Sequence, residues 1–389
     1  MELRLGIISV GGMGGNHASS IISGKTRRIR LTAVCDIDPA KLERFPDQAH
    51  FTDSRELIRS GLVDAVLIAT PHYDHTTIGI DALGAGLHVL VEKPLSVRVA
   101  DCQKLIAAYE QRPRQEQVFA AMFNERTIPR NRKLRELIHS GQLGAINRIA
   151  WTTTDWFRSE AYYRSGGWRA TWKGEGGGIL TNQCPHRLDL LQWWFGQPAQ
   201  IHAFVRYGRY HDIEVEDDVT AHLTWANGAT GIFIATTGEC PGVNRLEIAA
   251  ERGLVVVDGE GIRWWRNEVE TTEYSRTTSK TMARPPTWKI DIPSDGIAGM
   301  HPEVISNFAD AILDGTPLIA PATEGIRAVE IANSIILSGA TRSTVELPLD
   351  PAAYLRLHQQ LVAGSRTKAT NLQPTTTTSA AELSASFGR

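Results

Sequence analysis

The sequence has 389 residues, of which 42% are hydrophobic, and its 41 basic and 43 acidic side chains leave a formal net charge of -2. This length predicts two domains, and the balanced charge argues against a nucleic-acid-binding or basic membrane-binding surface. No apolar run reaches about 18 residues, and the chain enters a predicted strand almost at once, so we expect no membrane span or export signal and predict a cytoplasmic protein.

A buried strand and a glycine-rich turn come first in the chain. Residues 5–8 are apolar and predict a strand, and residues 9–14 predict a turn into a helix. Glycines in a G-x-G-x-x-G turn let the backbone approach a pyrophosphate and let the helix pack on the strand, while the helix N-terminus favours an anion. Ser9 departs from this pattern because it replaces the first glycine. The residues predicted to bind the dinucleotide here are Ser9, Gly11, Gly12, Met13 and Gly14.

An acidic residue follows the second predicted strand, residues 31–35. Asp36 lies 22 residues after Gly14, which agrees with the spacing of about 20 residues expected for a carboxylate that binds the ribose hydroxyls. A carboxylate repels a 2′-phosphate, and Ile37 offers that phosphate no positive charge, so we predict NAD over NADP. Three basic residues close in sequence could weaken this preference: Arg27, Arg28 and Arg44.

Strand and helix patterns continue to alternate up to residue 122. Further strands are predicted at 65–69, 88–91 and 118–122, and helices at 76–85 and 101–110. This alternation predicts a parallel, doubly wound sheet with the cofactor at the carboxyl ends of its strands. We therefore predict an NAD(P)-binding Rossmann domain over residues 1–122. Its further cofactor-binding residues are predicted to be Thr70, Pro71, His72, His75, Glu92 and Lys93.

The second half has a different pattern, with adjacent strands that no helices separate. Helices are predicted at 130–139, 188–195, 303–313 and 324–338, and strands at 201–206, 219–225, 230–237, 245–250 and 254–257. These elements predict an α/β substrate-binding domain over residues 123–363 with a large, mostly antiparallel open sheet. An uncovered sheet face favours a homodimer or homotetramer. Residues 364–389 are rich in Thr and Ser and predict a disordered tail.

Four motifs follow one another along the chain: the glycine turn, residues 68–75, Glu92-Lys93-Pro94, and residues 176–189, which read GGGILTNQCPHRLD. Together they resemble, in order, those of the glucose-fructose oxidoreductase, inositol dehydrogenase and rhizopine catabolism (Gfo/Idh/MocA) family. The resemblance covers roughly residues 3–348 and implies a Rossmann domain followed by an α/β domain with a large open sheet. It also implies that Lys93 and His186 act at the substrate carbon. Many members have an acid four positions before that histidine, where this chain has Asn182.

Alcohol oxidation needs a hydride acceptor and a route for the hydroxyl proton. His186 is the expected general base because an imidazole titrates near neutral pH, and Lys93 is expected to stabilise developing alkoxide charge. Asn182 would orient the substrate, and Asp189 would bond the imidazole or simply support its helix. Other polar and aromatic residues suit a polyhydroxylated ligand, and we expect some of them to contact it: Asn124, Arg126, Trp151, Asp155, Arg158, Tyr163, Trp168, Arg169 and His301.

Simpler interpretations compete with these roles. Lys93 could be an exposed lysine at a strand end, His186 a histidine bonded to backbone at a helix start, and His72 and His75 loop or helix-capping residues. The four widely spaced cysteines form no CxxC pair, so we expect buried thiols in a reducing compartment and no metal site.

The sequence thus predicts an NAD-dependent oxidoreductase that acts on a secondary hydroxyl or ketone of a sugar, glycoside or cyclitol. Two alternatives remain open. One is an NAD-dependent glycosidase that oxidises the sugar transiently, as some relatives do. The other is a dinucleotide sensor that has lost catalysis. The sequence predicts neither a nucleic-acid nor a membrane partner.

Overall fold

Two β-sheets and the helices that pack on them make up residues 2–366, the part of the chain that this computed structural model describes. The strands are Leu3–Ile8 (β1), Ile29–Cys35 (β2), Ala49–Phe51 (β3), Ala65–Ile68 (β4), His88–Val91 (β5), Phe119–Ala121 (β6), Ile146–Thr153 (β7), Gln200–Tyr207 (β8), Glu216–Thr224 (β9), Thr230–Thr236 (β10), Asn244–Ala250 (β11), Gly253–Asp258 (β12), Gly261–Asn267 (β13), Thr287–Ile292 (β14) and Val345–Glu346 (β15).

The α-helices alternate with the strands in the first third of the chain and cluster near its end. They are Gly12–Ile22 (α1), Pro39–Leu42 (α2), Ser54–Arg59 (α3), Asp74–Gly84 (α4), Val99–Glu110 (α5), Pro129–His139 (α6), Glu160–Arg164 (α7), Ile179–Asn182 (α8), Pro185–Phe195 (α9), Thr271–Thr277 (α10), Met300–Asp314 (α11), Gly325–Thr341 (α12) and Pro351–Ala363 (α13). Short 3₁₀ turns form at Asn124–Thr127 and Ala322–Glu324.

The first sheet has six parallel strands in the order β3-β2-β1-β4-β5-β6. All four residues of β4 and of β5 are buried, as expected for parallel strands that helices cover on both faces. This confirms the predicted doubly wound sheet. Its strand order reverses between β1 and β4, and a crevice at such a switch point is where α/β sheets bind ligands.

The second sheet has nine strands in the order β14-β13-β12-β11-β7-β10-β9-β8-β15. Every neighbouring pair is antiparallel except β7 and β10, which run parallel, so the predicted mostly antiparallel sheet is confirmed. On β8, β9 and β10 alternate residues point to opposite faces. Ala203 and Phe233 are buried on one face, whereas Phe204 is 70% and Ile232 45% exposed on the other.

The late helices connect the two halves of the chain. Val304, Ile305 and Phe308 of α11 join the hydrophobic cluster of the first sheet, which includes Leu5 and Ile7. Helix α12 packs on β8 and α9 of the second half. The first sheet therefore receives part of its cover from a helix roughly 180 residues beyond its last strand.

Three further expectations concern the tail, the thiols and the membrane. Of the predicted tail, the structure describes Ser365 and Arg366 beyond the cap of α13, and both bond the Glu214 carboxylate. The rest of the predicted tail, residues 367–389, lies outside the described residues. Cys35, Cys102 and Cys184 are buried, but Cys240 is exposed, which corrects the expectation of four buried thiols. Within residues 2–366 no helix has both the length and the apolar character needed to cross a bilayer.

Candidate active site

The glycine turn after β1 forms despite the missing first glycine. Ser9 has φ 72°, in the left-handed region that glycine favours, and its N–H donates to the carbonyl of Cys35 at 2.7 Å. A Cβ on Gly14 would lie 1.9 Å from the Ser9 carbonyl oxygen, so only glycine fits there. A Cβ on Gly11 would meet only Ser9 Oγ, at 3.8 Å. The chain thus leaves room at Gly11 for the approach of a pyrophosphate.

The Asp36 carboxylate reaches back to this turn from the end of β2. Its Oδ2 accepts hydrogen bonds from the Val10 N–H at 3.0 Å and from Ser9 Oγ at 3.4 Å. Its Oδ1 accepts from the Asp38 N–H at 3.1 Å and from Lys41 Nζ at 3.2 Å. The carboxylate therefore lies beside the glycine turn, where a ribose-binding acid belongs.

The three basic residues near Asp36 in sequence differ in position. Arg28 and Arg27 bond Asp310 on α11, at 3.1 and 3.3 Å, which directs both guanidinium groups away from the turn. Arg44 instead donates to the Val10 carbonyl and lies on the turn itself. Of these three residues, Arg44 is therefore the one near enough to affect the choice between NAD and NADP.

The carboxyl end of β4 contributes Thr70 and the two histidines. Thr70 Oγ1 is buried and has no hydrogen-bond partner among the described residues, so its hydroxyl is available to a cofactor. His72 Nδ1 lies 3.1 Å from the carbonyl of Glu175. The ring nitrogens of His75 contact the carbonyls of Thr70 at 3.0 Å and Pro94 at 2.9 Å. These contacts give His75 a structural role, because its ring links the loops that follow β4 and β5.

Glu92 follows β5 and forms a buried pair with His17 of α1, with 2.6 Å between Glu92 Oε1 and His17 Nε2. Its Oε2 accepts the backbone N–H of Lys93 at 3.0 Å. Burial opposes ionisation of Glu92, but the hydrogen bond and charge of His17 lower its pKa to about 2. Sequence reasoning missed His17, although its place on the buried face of a helix that follows the glycine turn was a usable signal.

Lys93 and His186 lie within electrostatic reach of each other. Lys93 is half-buried, and its Nζ donates to the backbone carbonyl of Asn182 at 2.8 Å. His186 is buried near the start of α9, and its Nδ1 has no hydrogen-bond partner among residues 2–366. Burial, followed by the charge of Lys93, lowers the pKa of His186 well below its usual value. Burial also lowers the pKa of Lys93, against the charges of Glu92 and Glu175.

A carboxylate that the sequence analysis did not single out adjoins this pair. Glu175 lies in the glycine-rich segment before α8 and is buried. It accepts hydrogen bonds from the Ala170 N–H at 2.6 Å and from the Asn182 side-chain amide. The side chain predicted to orient the substrate, Asn182, is thus bonded to a second acid.

Some of the predicted substrate residues lie close to this group. Arg158 is near enough to Lys93 for its charge to lower the pKa of the lysine. The Trp168 ring lies 5.9 Å from the ring of His72. Asn124 is buried, and its Oδ1 has no partner in the described part of the chain. These positions leave a substrate role open for all three.

Arg126 and Asp189 occupy a different environment from the one predicted. The Arg126 guanidinium makes two hydrogen bonds to the Asp189 carboxylate, at 2.6 and 2.7 Å, and another to Glu324 at 2.6 Å. Both members of the Arg126–Asp189 pair are 1% exposed. The Asp189 carboxylate therefore binds Arg126 and not the His186 imidazole, and this pair supports the fold because its polar atoms are already engaged.

Two predicted aromatic residues also lie in other surroundings. The Tyr163 hydroxyl is 2.7 Å from Thr237 Oγ1, and its ring packs 4.7 Å from that of His211. Trp151 is buried in the nine-stranded sheet and donates to Asn244 Oδ1 at 3.1 Å. Both are better explained as packing residues, since their polar atoms have partners within the second sheet and its connections.

The described residues form no cluster of side chains suited to bind a metal ion. Among residues 2–366, no group of three or more His, Cys, Asp or Glu side chains is arranged to hold one. The polar groups that converge on the edge of the first sheet are instead an amine, an imidazole, an amide and carboxylates. They can bind, orient and exchange protons with a hydroxylated ligand.

Two family models match this chain, one in each half. Residues 3–120 match the oxidoreductase family with an NAD-binding Rossmann fold, and residues 131–256 match the GFO/IDH/MocA C-terminal domain. The glycine turn, Asp36 and Thr70 described above agree with an NAD-binding role for the first half. The two matched regions include both Lys93 and His186.

Individual proteins are similar over different lengths. A 1-carboxy-3-chloro-3,4-dihydroxycyclo hexa-1,5-diene dehydrogenase of Comamonas testosteroni is 33% identical over 171 residues, 43% of this chain and 41% of that protein. An inositol 2-dehydrogenase of Corynebacterium glutamicum is 28% identical over 340 residues, 82% of this chain and 88% of that protein. The WlbA dehydrogenase structure from Bordetella pertussis, in complex with NADH and UDP-GlcNAcA, superposes with a TM-score of 0.75 at 25% identity. The alignment covers 90% of this chain and 100% of the WlbA chain.

Proposed function

Because the chain belongs to the Gfo/Idh/MocA family of NAD-binding oxidoreductases, we propose that it transfers a hydride between NAD and a secondary hydroxyl or ketone of a sugar, glycoside or cyclitol. The observation that carries this proposal is a contact between the two halves of the chain: Lys93, which follows β5, donates to the carbonyl of Asn182 at 2.8 Å, four residues before His186. An amine and an imidazole at one crevice suit the oxidation of an alcohol.

The roles of the two residues follow from their surroundings. When bound, NAD supplies the hydride acceptor. His186, which is uncharged at neutral pH because burial lowers its pKa, accepts the hydroxyl proton on a ring nitrogen. Lys93 donates a hydrogen bond to the same oxygen and stabilises the charge that develops on it. The buried Thr70 hydroxyl, the glycine turn and Asp36 hold the dinucleotide, and Asp36 favours NAD over NADP.

The substrate class is supported by the names of the relatives and by the side chains at the site. An inositol 2-dehydrogenase acts on a cyclitol, and the WlbA dehydrogenase complex contains UDP-GlcNAcA, which carries a sugar. Arg158, Trp168 and Asn124 suit such a ring, because arginine and asparagine bond hydroxyl groups and an aromatic face stacks on the C–H face of a sugar.

An absorbance screen tests the proposed function. The full-length protein is incubated with NAD or NADP and a panel of inositols, aldoses and glycosides, and reduction of the cofactor is followed. We expect NAD reduction with at least one of these compounds, and a loss of at least a hundredfold in kcat for Lys93→Met and His186→Gln. Full turnover in Lys93→Met would contradict the mechanism. Net hydrolysis of a glycoside without accumulation of NADH would indicate the glycosidase alternative, and NAD binding without turnover the sensor.

We also propose that the open face of the nine-stranded sheet is a contact between copies of this chain in a homodimer or homotetramer. Phe204 and Ile232 are exposed on that face, and a flat sheet with exposed apolar side chains is usually covered in solution. Analytical ultracentrifugation at micromolar concentration should give a dimer or tetramer, and Phe204→Asp with Ile232→Lys should shift it to monomer. A monomeric wild-type protein would contradict this proposal.

A further inference from the structure

A chain of contacts joins the Lys93 amine to a buried acid outside the predicted site. Lys93 Nζ donates to the backbone carbonyl of Asn182 at 2.8 Å. The side-chain amide of the same Asn182 donates to Glu175 Oε1, and Glu175 Oε2 accepts the Ala170 N–H at 2.6 Å. Asn182 therefore lies between the amine and the carboxylate, and it contacts the first through its backbone and the second through its side chain.

Glu175 is 2% exposed, and a buried carboxylate that stays ionised needs hydrogen bonds and positive charges. Two N–H donors supply the hydrogen bonds. Burial raises the pKa of Glu175, but Arg169 and Lys93 oppose this rise with their charges. The carboxylate and the Lys93 ammonium therefore stabilise each other electrostatically.

The other acid beside Lys93 already has partners. Glu92 bonds His17 through one oxygen and the Lys93 backbone N–H through the other. Five other charged or titratable groups among the described residues interact electrostatically with Lys93: His72, Arg158, Arg169, His186 and His301. None of these five groups is an acid. Of the two carboxylates that act on Lys93, Glu92 is paired with His17, so Glu175 is the one that offsets the surrounding positive charges.

We propose that Glu175 is a positioning residue for the amine: it fixes Asn182, whose carbonyl orients Lys93, and it keeps Lys93 positively charged in a half-buried site. This role rests on the function proposed above. The carboxylate does not need to contact the substrate, because it acts through Asn182 and through its field. Turnover then requires one negative charge in the Glu175–Asn182 pair, on either residue.

The geometry suggests an exchange of the two side-chain types. Glu175→Gln removes the charge and leaves only one acceptor oxygen where the carboxylate accepts two N–H groups, from Ala170 and from Asn182. In the double variant Glu175→Gln with Asn182→Asp, the amide oxygen introduced at position 175 can accept the Ala170 N–H, while the amide nitrogen donates to the carboxylate introduced at position 182. The double variant thus restores both the negative charge and the hydrogen bonds, with the charge now at position 182 instead of position 175.

Two readouts measure the charge state of Lys93 in the full-length protein. The first is the alkaline limb of the pH profile of kcat/KM with NAD and an active substrate from the screen. The second needs no substrate: acetylation of Lys93 by trace acetic anhydride at a series of pH values, quantified by peptide mass spectrometry. In Glu175→Gln we expect both midpoints to fall by about one pH unit, because a nearby negative charge is lost. In the double variant both should return towards the wild-type values.

Glu214→Gln is the matched control. The Glu214 carboxylate accepts the Trp172 N–H at 2.7 Å, so it holds the same segment of chain, yet its side chain bonds neither Asn182 nor Lys93. We expect this variant to leave both midpoints unchanged. If it moved them as much as Glu175→Gln, the role of Glu175 would be that of a loop anchor and the proposal would be wrong.

The outcomes separate this inference from the proposed function. Wild-type midpoints in Glu175→Gln, or a double variant no different from Glu175→Gln, would overturn the positioning role. If the wild-type protein turned over no compound of the panel, the proposed function would fail, but the acetylation midpoints would still decide whether Glu175 keeps Lys93 charged. Should Glu175→Gln fail to fold, Glu175→Asp carries the test: its carboxylate is one methylene shorter and therefore farther from Asn182 and Lys93, so both midpoints should still fall, by less than one pH unit, and wild-type midpoints would overturn the proposal.

Discussion

His186 is a buried imidazole close to a cationic amine, and this environment decides at which pH its ring can accept a proton. Burial is the main reason that its pKa is lowered, and the charge of Lys93 is the second. Removal of that charge by Lys93→Met should therefore raise the pKa of His186 but leave it below that of an exposed histidine. Titration of the His186 ring by NMR measures this directly and needs no activity. An unchanged pKa would show that the two groups do not interact.

At the scale of single residues the sequence predicted the pair Lys93 and His186 as reacting groups, because their motifs are local and specific. It missed His17 and Glu175, whose partners Glu92 and Asn182 become neighbours only in the folded chain. Of the two roles expected for Asp189, the bond to the imidazole does not form, because its carboxylate binds Arg126 instead. A carboxylate one helical turn from a histidine has more than one possible partner, and only packing selects among them.

The buried pair of Arg126 and Asp189 allows a prediction about stability. Arg126→Met removes a guanidinium that bonds Asp189 and Glu324 and leaves the Asp189 carboxylate buried without its charge partner. Loss of one member of a buried ion pair costs about 3–5 kcal/mol of unfolding free energy. Chemical denaturation of the variant should show this loss. Arg126→Met combined with Asp189→Leu should recover most of it, and a double variant as unstable as the single one would argue against the ion pair as the cause.

At the scale of elements, two glycines in the turn between β1 and α1 have different roles: Gly14 allows close packing, and Gly11 leaves space for a ligand. A Cβ at Gly14 would lie 1.9 Å from the Ser9 carbonyl, so Gly14→Ala should destabilise the fold. A Cβ at Gly11 would meet only Ser9 Oγ at 3.8 Å, so Gly11→Ala should keep the melting temperature and weaken NAD binding at least tenfold, because the added methyl group would occupy space that a pyrophosphate would need. Calorimetry for melting and for binding distinguishes the two. Equal loss of stability in both variants would contradict this division.

The elements that the sequence predicted are those with strong periodicity. Strands β1, β2, β4, β5 and β6 and helices α4 and α5 were found within a few residues of their limits, whereas α2, β3 and α3 were not predicted. Strand β7 was missed, although it is central in the second sheet, because only Ile149, Trp151 and Thr153 alternate inward and its first half is polar. Its parallel pairing with β10 joins strands about 80 residues apart, and local periodicity carries no information on such a contact.

At the scale of the whole molecule, the sequence predicted two sheets, but it did not predict that helices α11 and α13 pack against the first sheet and its connections. Helix α11 covers the first sheet, and α13 brings His358 to Tyr73, which follows β4. The Tyr73 hydroxyl donates to the Trp172 carbonyl at 2.6 Å, so at its 3.2 Å contact with His358 Nε2 it is the ring nitrogen that donates. Three distant parts of the chain meet at this tyrosine.

This junction makes a pH-dependent contribution to stability. Burial lowers the pKa of His358 from 6.5 to about 4, so between these values the unfolded chain binds a proton that the folded chain does not. Above pH 6.5 the His358 ring is neutral in both states and has no pH-dependent effect on the unfolding free energy. As the pH falls from 6.5 to about 4, the unfolding free energy decreases. His358→Gln should therefore be destabilised relative to wild type at pH 7.5 through loss of the Tyr73 contact. That difference should shrink by about 1 kcal/mol per pH unit below 6.5.

Denaturant unfolding of the two proteins at pH 7.5, 6.5 and 5.5 measures this difference. The comparison cancels every other titrating group that the two chains share, including Glu216, whose pKa burial raises to about 7 and which acts in the opposite direction. A difference in unfolding free energy that stayed constant with pH would mean that His358 is protonated equally in the folded and unfolded states. Burial would then not lower the pKa of His358.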